Sequence, residues 1–411
     1  EVELSGFTTT DYLRPEQAAT GPFEPMPAGT AWGAHWEYGW FRGAFSLPAE
    51  AAGERIVLHL QTGSEGIVWV NGQMAGAVDR QHKYITLQTE GAPGTHFDIL
   101  AESYAGHGFI SVGEGPIAHG RTWLPETPAQ QSTLDVSTYG IWDETVFQLW
   151  MDVNTLWELR EMLDPDALRV DEIDAALKEM SLLADVEAPR IELLAGALAA
   201  RDRLRPVLAA TNGTSAPVLW GFGHAHIDVA WLWPLQETQR KTARTFSNQL
   251  ALMEEYPEYI FLQSEAQLYA YLKEDYPDLY ERVKARIQSG HVIAEGAAWV
   301  EPDTNVPSGE SLIRQFIHGK RFFKDEFGID CQIFWEPDVF GYSAALPQIM
   351  LGCGLKYFGT QKIMWEYNKA DPFPYNQFIW EGVDGSEVWA HIFHGYSYET
   401  SPKTLIETWR D

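Results

Sequence analysis

The sequence has few cysteines, few basic residues and no long apolar run. Cys331 and Cys353 are its only cysteines, which is not a disulfide framework and favours a reducing compartment. Its 29 Lys and Arg residues face 58 Asp and Glu residues, giving a net charge of -29. This balance argues against nucleic acid and anionic lipid as partners, because both need clustered cations. No apolar stretch approaches the roughly 20 residues of a membrane span. We expect a cytoplasmic protein that binds neither nucleic acid nor membrane.

The sequence also lacks an initiator Met. It begins at Glu1 and stops at Asp411, after a stretch typical of the middle of a helix. We therefore expect a piece of a longer protein, in which case a missing signal peptide is weak evidence.

The first part, residues 1–153, is predicted to be an antiparallel β-sandwich of jelly-roll type. Short β-type runs alternate with turns and have no helical stretch between them, and Asn71-Gly72 is a strong hairpin signal. The predicted strands span 40–47, 55–61, 66–70, 83–87, 97–103 and 145–153. Five tryptophans could stack on sugars or fill the core, and we favour the core; they are Trp32, Trp36, Trp40, Trp69 and Trp123.

Two further regions follow. Residues 154–216 are rich in Ala, Leu, Glu and Arg with helical spacing of the apolar residues, which predicts a helical connector. From 217 to 411, strand and helix patterns alternate, starting with a predicted strand at 218–222. Ser308 and Gly328 are predicted to cap the start and the end of one of these helices. This alternation indicates a parallel sheet, either a barrel or a doubly wound fold, with its chemistry at the carboxyl ends of the strands.

Acidic side chains and histidines cluster at those strand ends. His224, His226 and Asp228 alternate after the first strand and would point to one face, as most of a first shell for a divalent metal. A hydrogen-bonded polar cluster explains this triplet equally well. Two other strands run into acids, the third into 295–303 and the fourth into 336–338. Convergence of three such ends on one face of a barrel would favour a functional site over surface solvation.

Four motifs in this region resemble those of the glycoside hydrolase family 38 α-mannosidases, in particular the bacterial and cytosolic branch. In order along the chain, they are GHAHIDVAWLWP (223–234), AAWVEPDTNVPSGESLIRQF (297–316), FWEPDVFGYSAALPQIMLGCG (334–354) and TQKIMW (360–365). The resemblance implies a seven-stranded β/α-barrel catalytic domain, incomplete at the C-terminus of this chain, and a retaining, exo-acting α-mannosidase.

The same resemblance implies roles for particular residues. His226 and Asp228 match metal ligands, and Asp338 matches a residue that is both ligand and nucleophile. The implied cofactor is a divalent metal, zinc first and cobalt second. Trp231, Asp303, Lys362 and, on a weaker alignment, Tyr398 match substrate-binding positions. His224 matches no ligand, and we expect a supporting or core histidine there.

The chain departs from the family pattern in three respects. Ala297-Ala298 stands where glycine is common, and Glu336 precedes Pro337 where an apolar residue is usual. The family's fourth ligand, a histidine, and its general acid, an aspartate, are expected after Asp411, so we expect weak metal binding and little hydrolysis by this chain alone.

The expected substrate is a mannose-containing oligosaccharide, and a homo-oligomer stays open. Two other classes of protein also stay open at this point. One is a non-catalytic carbohydrate-binding protein, and the other is a metal-dependent carbohydrate deacetylase on a similar barrel, which would use the same residue types at its strand ends.

Overall fold

The protein is described here from a computed structural model, which covers residues 1–107, 126–214, 218–364, 373–393 and 399–410. The chain forms two compact units. The larger unit contains Glu1–Ile141 and Phe222–Tyr396, and the smaller unit contains Trp142–Gly221 and Ser397–Asp411. None of the described helices combines the length and the apolar character that a membrane span requires.

The first part of the larger unit is the antiparallel sandwich that the sequence predicts. A six-stranded sheet and a three-stranded sheet share one buried apolar cluster, to which Ile56 and Ile85 contribute from one sheet and Val68 and Ile99 from the other. The strands are β1 Ser5–Thr9, β2 Glu24–Pro25, β3 Ala31–Trp32, β4 Tyr38–Ser46, β5 Ile56–His59, β6 Gly66–Val70, β7 Gln73–Val78, β8 Ile85–Gln88, β9 His96–Tyr104, β10 Ser132–Thr133 and β11 Thr138–Ile141. A short helix, α1, spans Pro15–Ala18.

The hairpin and the buried tryptophans of the sandwich are confirmed. Asn71 and Gly72 join β6 to β7 with φ of 51° and 79°, the left-handed conformation that a tight hairpin requires. The four described tryptophans are all buried, with exposed fractions of 6% or less: Trp32, Trp36, Trp40 and Trp69. Trp123 lies outside the described residues.

The smaller unit is helical, and one predicted strand within it is wrong. Its helices are α2 Glu144–Met162, α3 Leu168–Ser181 and α4 Arg190–Leu208, and the last described helix of the chain, Pro402–Arg410, also belongs to it. The segment 145–153, predicted as a strand, lies inside α2. Its apolar residues continue a helical spacing that buries Leu149 and Leu156 against the other helices. The limits of the sandwich at 153 and of the helical connector at 216 stay predictions.

The second part of the larger unit alternates strands and helices. Three parallel strands form one sheet, β12 Gly223–His224, β13 Phe261–Gln263 and β14 Val292–Ala294. A second sheet contains β15 Ile333–Glu336, β16 Tyr357–Thr360, β17 Gln377–Glu381 and β18 Glu387–Ile392, in which only β17 runs antiparallel. The helices are α5 Leu235–Glu255, α6 Ala266–Asp275, α7 Pro277–Gln288, α8 Gly309–Phe327 and α9 Leu346–Gly352, and the helix Pro402–Arg410 is α10.

The predicted strand at 218–222 is also wrong. Pairing with β13 begins only at Gly223, and the apolar side chains before it are exposed, 75% for Val218 and 88% for Trp220. Because the side chains of this run are not buried, forming a strand here would not be stabilised by burial of apolar surface. The caps predicted for α8 are confirmed, since the Ser308 hydroxyl accepts from the Ser311 amide and Gly328 ends the helix at φ 74°.

Helix α8 packs unusually close to the backbone that leads out of β14. A Cβ atom on Gly319 would overlap the carbonyl of Ala297 and the backbone of Ala298. Only glycine permits this approach. The segment from 297 to 301 is therefore held directly against a helix.

Helix α5 contacts the sandwich through charged side chains, of which Arg240 and Arg244 are buried. Arg240, which is fully buried, donates through Nε to Glu102 of β9 at 2.6 Å and lies 3.5 Å from the centre of the Tyr38 ring. Lys241 donates to Glu65 at 3.1 Å, and Arg244 pairs with Glu237 of the same helix. These contacts fix the start of α5, and hence the preceding segment, relative to the sandwich.

Candidate active site

The site lies where the chain leaves β12. His226 is its centre, with 9% of its side chain exposed. Its Nε2 atom lies 3.6 Å from Oδ1 of Asp228 and 3.5 Å from Oδ2 of Asp338, which follows β15. Residues separated by 110 positions in the sequence are thus brought to the same imidazole nitrogen.

The second ring nitrogen of His226, Nδ1, is held by Glu301. Nδ1 lies 2.6 Å from Oε2 of Glu301, and since a carboxylate only accepts, the ring donates this hydrogen bond. The second oxygen of Glu301 accepts from the Ser264 hydroxyl at 2.8 Å, and its amide donates to Glu265 at 3.0 Å. This arrangement fixes the ring orientation and leaves Nε2 directed toward the two aspartates.

Asp338 is held on its opposite side by a buried lysine. Lys362, only 3% exposed, lies in a short 3₁₀ turn after β16, and its Nζ is 2.6 Å from Oδ1 of Asp338. The ammonium group also lies 5.1 Å from the centre of the Phe340 ring. The ion pair with Lys362 leaves Oδ2 as the oxygen of Asp338 that faces His226.

The carboxylates around His226 make the site strongly negative. Burial alone lowers the pKa of His226, but hydrogen bonds and charge interactions with Asp228 and Glu301 outweigh it and raise the pKa to about 11. A proton on His226 thus supplies the positive charge that the surrounding carboxylates favour. A divalent cation in its place would satisfy the same demand, with His226 neutral.

Two further glutamates are buried beside Glu301. Glu336 is 0% exposed, and neither of its carboxylate oxygens has a hydrogen-bond partner among the described residues. Burial, then the charges of Glu301 and Asp303, raise the pKa of Glu336 well above its usual range. Burial and Glu301 do the same to Glu265. Glu336 thus occupies an enclosed position, as an apolar residue would.

His224 does not face the aspartates. Its Nε2 atom accepts from the Trp335 indole nitrogen at 3.1 Å, and the two rings meet edge to face. Burial and the nearby His226 lower the pKa of His224 to about 3, which keeps the imidazole neutral. These contacts suit the expected supporting or core histidine, which stays a prediction.

The remaining predicted residues are placed differently. Trp231 is 45% exposed, as a ring that contacts a ligand must be before the ligand binds. Asp303 is exposed, and its Oδ1 accepts the amides of Asn305 and Val306, so part of its carboxylate orders the loop. Tyr398 lies outside the described residues. The roles given to these residues stay predictions.

The donor set fits a divalent cation in charge and in kind, although it is not a complete shell. In the described ranges, no group of three or more His, Cys, Asp or Glu residues is arranged to hold a metal ion by itself. However, in a tetrahedral site with bonds of about 2.0–2.2 Å, neighbouring ligand atoms are about 3.4 Å apart. The distances of 3.5 and 3.6 Å from His226 to the two aspartates match two such edges.

Sequence reasoning assigned no role to two residues of this cluster. Glu301 was recognised as one of the acids after the third strand but was not connected to His226. Glu265 follows β13, so a fourth strand end also carries an acid. The signal that could have identified Glu301 is general, because a metal-binding histidine usually donates its second ring N–H to a carboxylate or carbonyl.

Comparison with known families agrees with this organisation. Residues 218–409 match the model described as glycosyl hydrolases family 38 N-terminal domain, and residues 3–160 match the model described as alpha-mannosidase, jelly roll domain. The two matches cover the α/β region and the sandwich, respectively.

The human and yeast relatives agree with the family models. Alpha-mannosidase 2C1 of Homo sapiens is 35% identical over 398 residues, which cover 96% of this chain and 37% of that protein. Alpha-mannosidase of Saccharomyces cerevisiae is 47% identical over 181 residues, covering 44% of this chain and 16% of that protein. A solved α-mannosidase from Enterococcus faecalis is 23% identical with a TM-score of 0.38, covering 46% of this chain and 22% of that one. The chain thus spans little more than a third of the human relative.

Proposed function

The chain belongs to glycosyl hydrolase family 38, and from this premise we propose that it forms the N-terminal part of a retaining, exo-acting α-mannosidase. Its substrate is a mannose-containing oligosaccharide from which terminal α-linked mannose is removed. The proposed cofactor is zinc, with cobalt as a substitute. The proposed compartment is the cytoplasm, supported by Cys331 and Cys353, which are both free thiols.

The parallel strands are proposed to belong to a seven-stranded β/α-barrel. The end of β14 adjoins the start of β15, because Oε1 of Glu295 accepts the amides of Gln332 and Ile333, each at 2.8 Å. Trp335 of β15 contacts His224 of β12, so side chains from the two sheets meet. These contacts suit a closed arrangement with the acids at one end.

His226, Asp228 and Asp338 would hold the cation. When bound, it would act as a Lewis acid and template that binds sugar hydroxyls. Within the chain, Glu301 fixes the His226 ring through Nδ1, and Lys362 orients Asp338 through Oδ1. The buried surroundings of His226 keep bulk water from its ring.

Asp338 is the proposed nucleophile. One of its carboxylate oxygens forms a bond to the anomeric carbon while the bond to the leaving oxygen breaks, and that oxygen takes a proton from the family's general acid, which is not assigned to any residue of this chain. Water then cleaves the resulting glycosyl ester, giving its proton to the conjugate base of the same acid, with net retention. The Lys362 ammonium, 2.6 Å from Oδ1, balances the carboxylate charge before attack. Trp231 provides an exposed ring for sugar contact, and Asp303, Lys362 and Tyr398 provide polar groups for its hydroxyls.

The observation that carries this proposal is the meeting of Asp228 and Asp338 at His226 Nε2, with Nδ1 held by Glu301. A structural cluster would not need two carboxylates at one imidazole nitrogen from such distant segments.

The test is hydrolysis of an aryl α-mannoside by the complete protein, before and after treatment with a chelator. We expect cleavage that is lost on chelation and restored by zinc or cobalt, with retention of anomeric configuration seen by NMR. An aryl β-mannoside is the matched control. Cleavage that persists without metal, or release of acetyl groups alone from an acetylated glycan, would contradict the proposal.

A further inference from the structure

The sandwich carries a large groove at one end, formed by the loop after β5 and the loop between β7 and β8. Its volume is about 1060 Å³, just above the roughly 300–1,000 Å³ of ligand sites. Loops at the end of a rigid sandwich are a common place for binding residues. The active-site residues described above do not line it.

One of the residues that line the groove presents an exposed aromatic ring. Tyr84 is 47% exposed, and its ring lies 4.9 Å from that of His59, which supports it from one side. An exposed ring backed by a second ring offers a flat apolar face of the kind that stacks on the C–H face of a sugar. It also loses little conformational entropy on binding, since a tyrosine has few rotatable bonds.

Both walls of the groove are held in place by internal hydrogen bonds. On one side, Oδ1 of Asp79 accepts the amides of Gln81 and His82 at 2.8 and 2.7 Å, which orders the loop before Tyr84. On the other side, the Thr62 hydroxyl is bonded to Ser103 at 2.8 Å and the Gln61 amide donates to Ser137 at 2.9 Å. Because these loops are already ordered, ligand binding does not require the entropic cost of ordering them.

The charges that line the groove are mixed. Arg80 and Lys83 line it together with the acids Glu65, Asp79 and Asp135, while the chain as a whole carries a net charge of -29. The Arg80 side chain makes no hydrogen bond or ion pair with any residue that the structure describes. Donors and acceptors of both signs around an aromatic ring suit a neutral ligand with many hydroxyl groups better than a polyanion.

The groove also borders the segment that leads out of the active site. Glu65, which lines the groove, accepts from Lys241 of α5 at 3.1 Å, and Lys241 lies 5.3 Å from the centre of the Trp233 ring. Trp233 stands two residues after Trp231. One series of contacts thus runs from the groove to the segment that carries His226 and Asp228.

We propose that this groove, centred on Tyr84, binds a neutral oligosaccharide at a place distinct from the hydrolytic site. The choice of a mannose-containing glycan rests on the proposed function. The binding chemistry rests on the groove alone, with Tyr84 stacking on a sugar ring and Arg80 donating to hydroxyl groups.

The experiment measures binding of an α-linked mannotriose by calorimetry, in the complete protein made inactive by His226→Ala. We expect Tyr84→Ala to weaken binding by about tenfold or more, as removal of a central aromatic contact does, and Arg80→Ala to weaken it less. The matched control is Tyr357→Ala, which removes a tyrosine of the same 47% exposure from the first residue of β16. Thermal unfolding of each variant establishes that the fold is retained.

An unchanged dissociation constant in Tyr84→Ala, or an equal loss in Tyr357→Ala, would overturn the inference. So would a lack of mannotriose binding in the His226→Ala protein. Failure of the proposed function appears in a separate measurement, hydrolysis of the aryl α-mannoside by the wild-type protein. Tyr84→Ala should leave that hydrolysis unchanged, because the small substrate does not extend beyond the hydrolytic site.

Discussion

Glu301 offers a specific test of how the chain prepares His226 for a metal. Replacing Glu301 by Gln keeps the side-chain volume but removes one charge and changes one acceptor oxygen into a donor. In the native site, Oε2 accepts from His226 Nδ1 at 2.6 Å and Oε1 accepts from Ser264 at 2.8 Å. A glutamine cannot accept both of these hydrogen bonds through its single oxygen.

Either orientation of the new amide has a cost. If its oxygen stays with Ser264, its NH₂ group faces Nδ1, and the neutral ring must carry its proton on Nε2, the atom that would bind the cation. If the amide turns over, the hydrogen bond from Ser264 is lost, at about 0.5–1.5 kcal/mol. Loss of the carboxylate also weakens the polarisation of the ring. Together these effects should reduce zinc affinity by roughly 10–100-fold.

Zinc affinity is measured by competition with a chelating dye, and the tautomer of His226 by ¹⁵N NMR of the imidazole. Glu295→Gln is the control, because Glu295 also follows β14 but, within the described part of the chain, accepts only the backbone amides of 332 and 333. Affinity of the Glu301→Gln protein within twofold of wild type, or the same loss in the control, would refute the reasoning.

Four other outcomes are expected. Asp338→Asn should reduce hydrolysis by roughly 10⁴-fold or more and weaken zinc binding in the same protein, whereas a purely structural Asp338 would leave both nearly intact. Arg240→Met should cost about 3–5 kcal/mol in urea unfolding, because it leaves its carboxylate partner buried and unpaired; a loss under 1 kcal/mol would contradict this. Gly319→Ala should destabilise by about 1–3 kcal/mol through overlap with the backbone. Gly352→Ala should not, because no described atom outside its own chain neighbours and helix backbone lies within 4 Å of the new Cβ. The pKa of His226 is raised to about 11, so the metal-free protein should lose stability as the pH rises from about 6.5 to about 11. The apparent zinc affinity should rise over the same pH range, because zinc displaces the proton. An affinity that does not change with pH would rule out this displacement.

Local signals in the sequence predicted much of the fold. Asn71-Gly72 predicted the hairpin, and Ser308 and Gly328 predicted the ends of α8, because each acts through its own backbone conformation. The strand predicted at 145–153 is wrong because nine residues rich in β-branched and aromatic side chains are compatible with a strand or a helix. The helical spacing becomes clear only further along α2. The strand predicted at 218–222 is wrong because the apolar character of a segment does not show whether a partner strand lies beside it.

The candidate site was predictable in part. Spacing after a strand and the resemblance to a family predict His226, Asp228 and Asp338 as site residues. Their roles stay predictions, and the structure places the two aspartates at Nε2 of His226. The burial of Lys362 and its contact with Asp338 could not be inferred from a single lysine in a loop. The hydrogen bond from His226 to Glu301 depends on the strand order β12-β13-β14, which brings the ends of β12 and β14 to the same edge of one sheet. This order is a property of the sheet rather than of either motif.

The charged face of α5 sets a condition for engineering chimeras of this protein. Arg240, Lys241 and Arg244 are matched by Glu237 on the helix itself and by Glu65 and Glu102 from the sandwich. A graft of the α/β part onto a foreign sandwich would leave two of these cations without their counter-ions. Transplants should therefore carry both acidic positions with them, or replace the helix face at the same time.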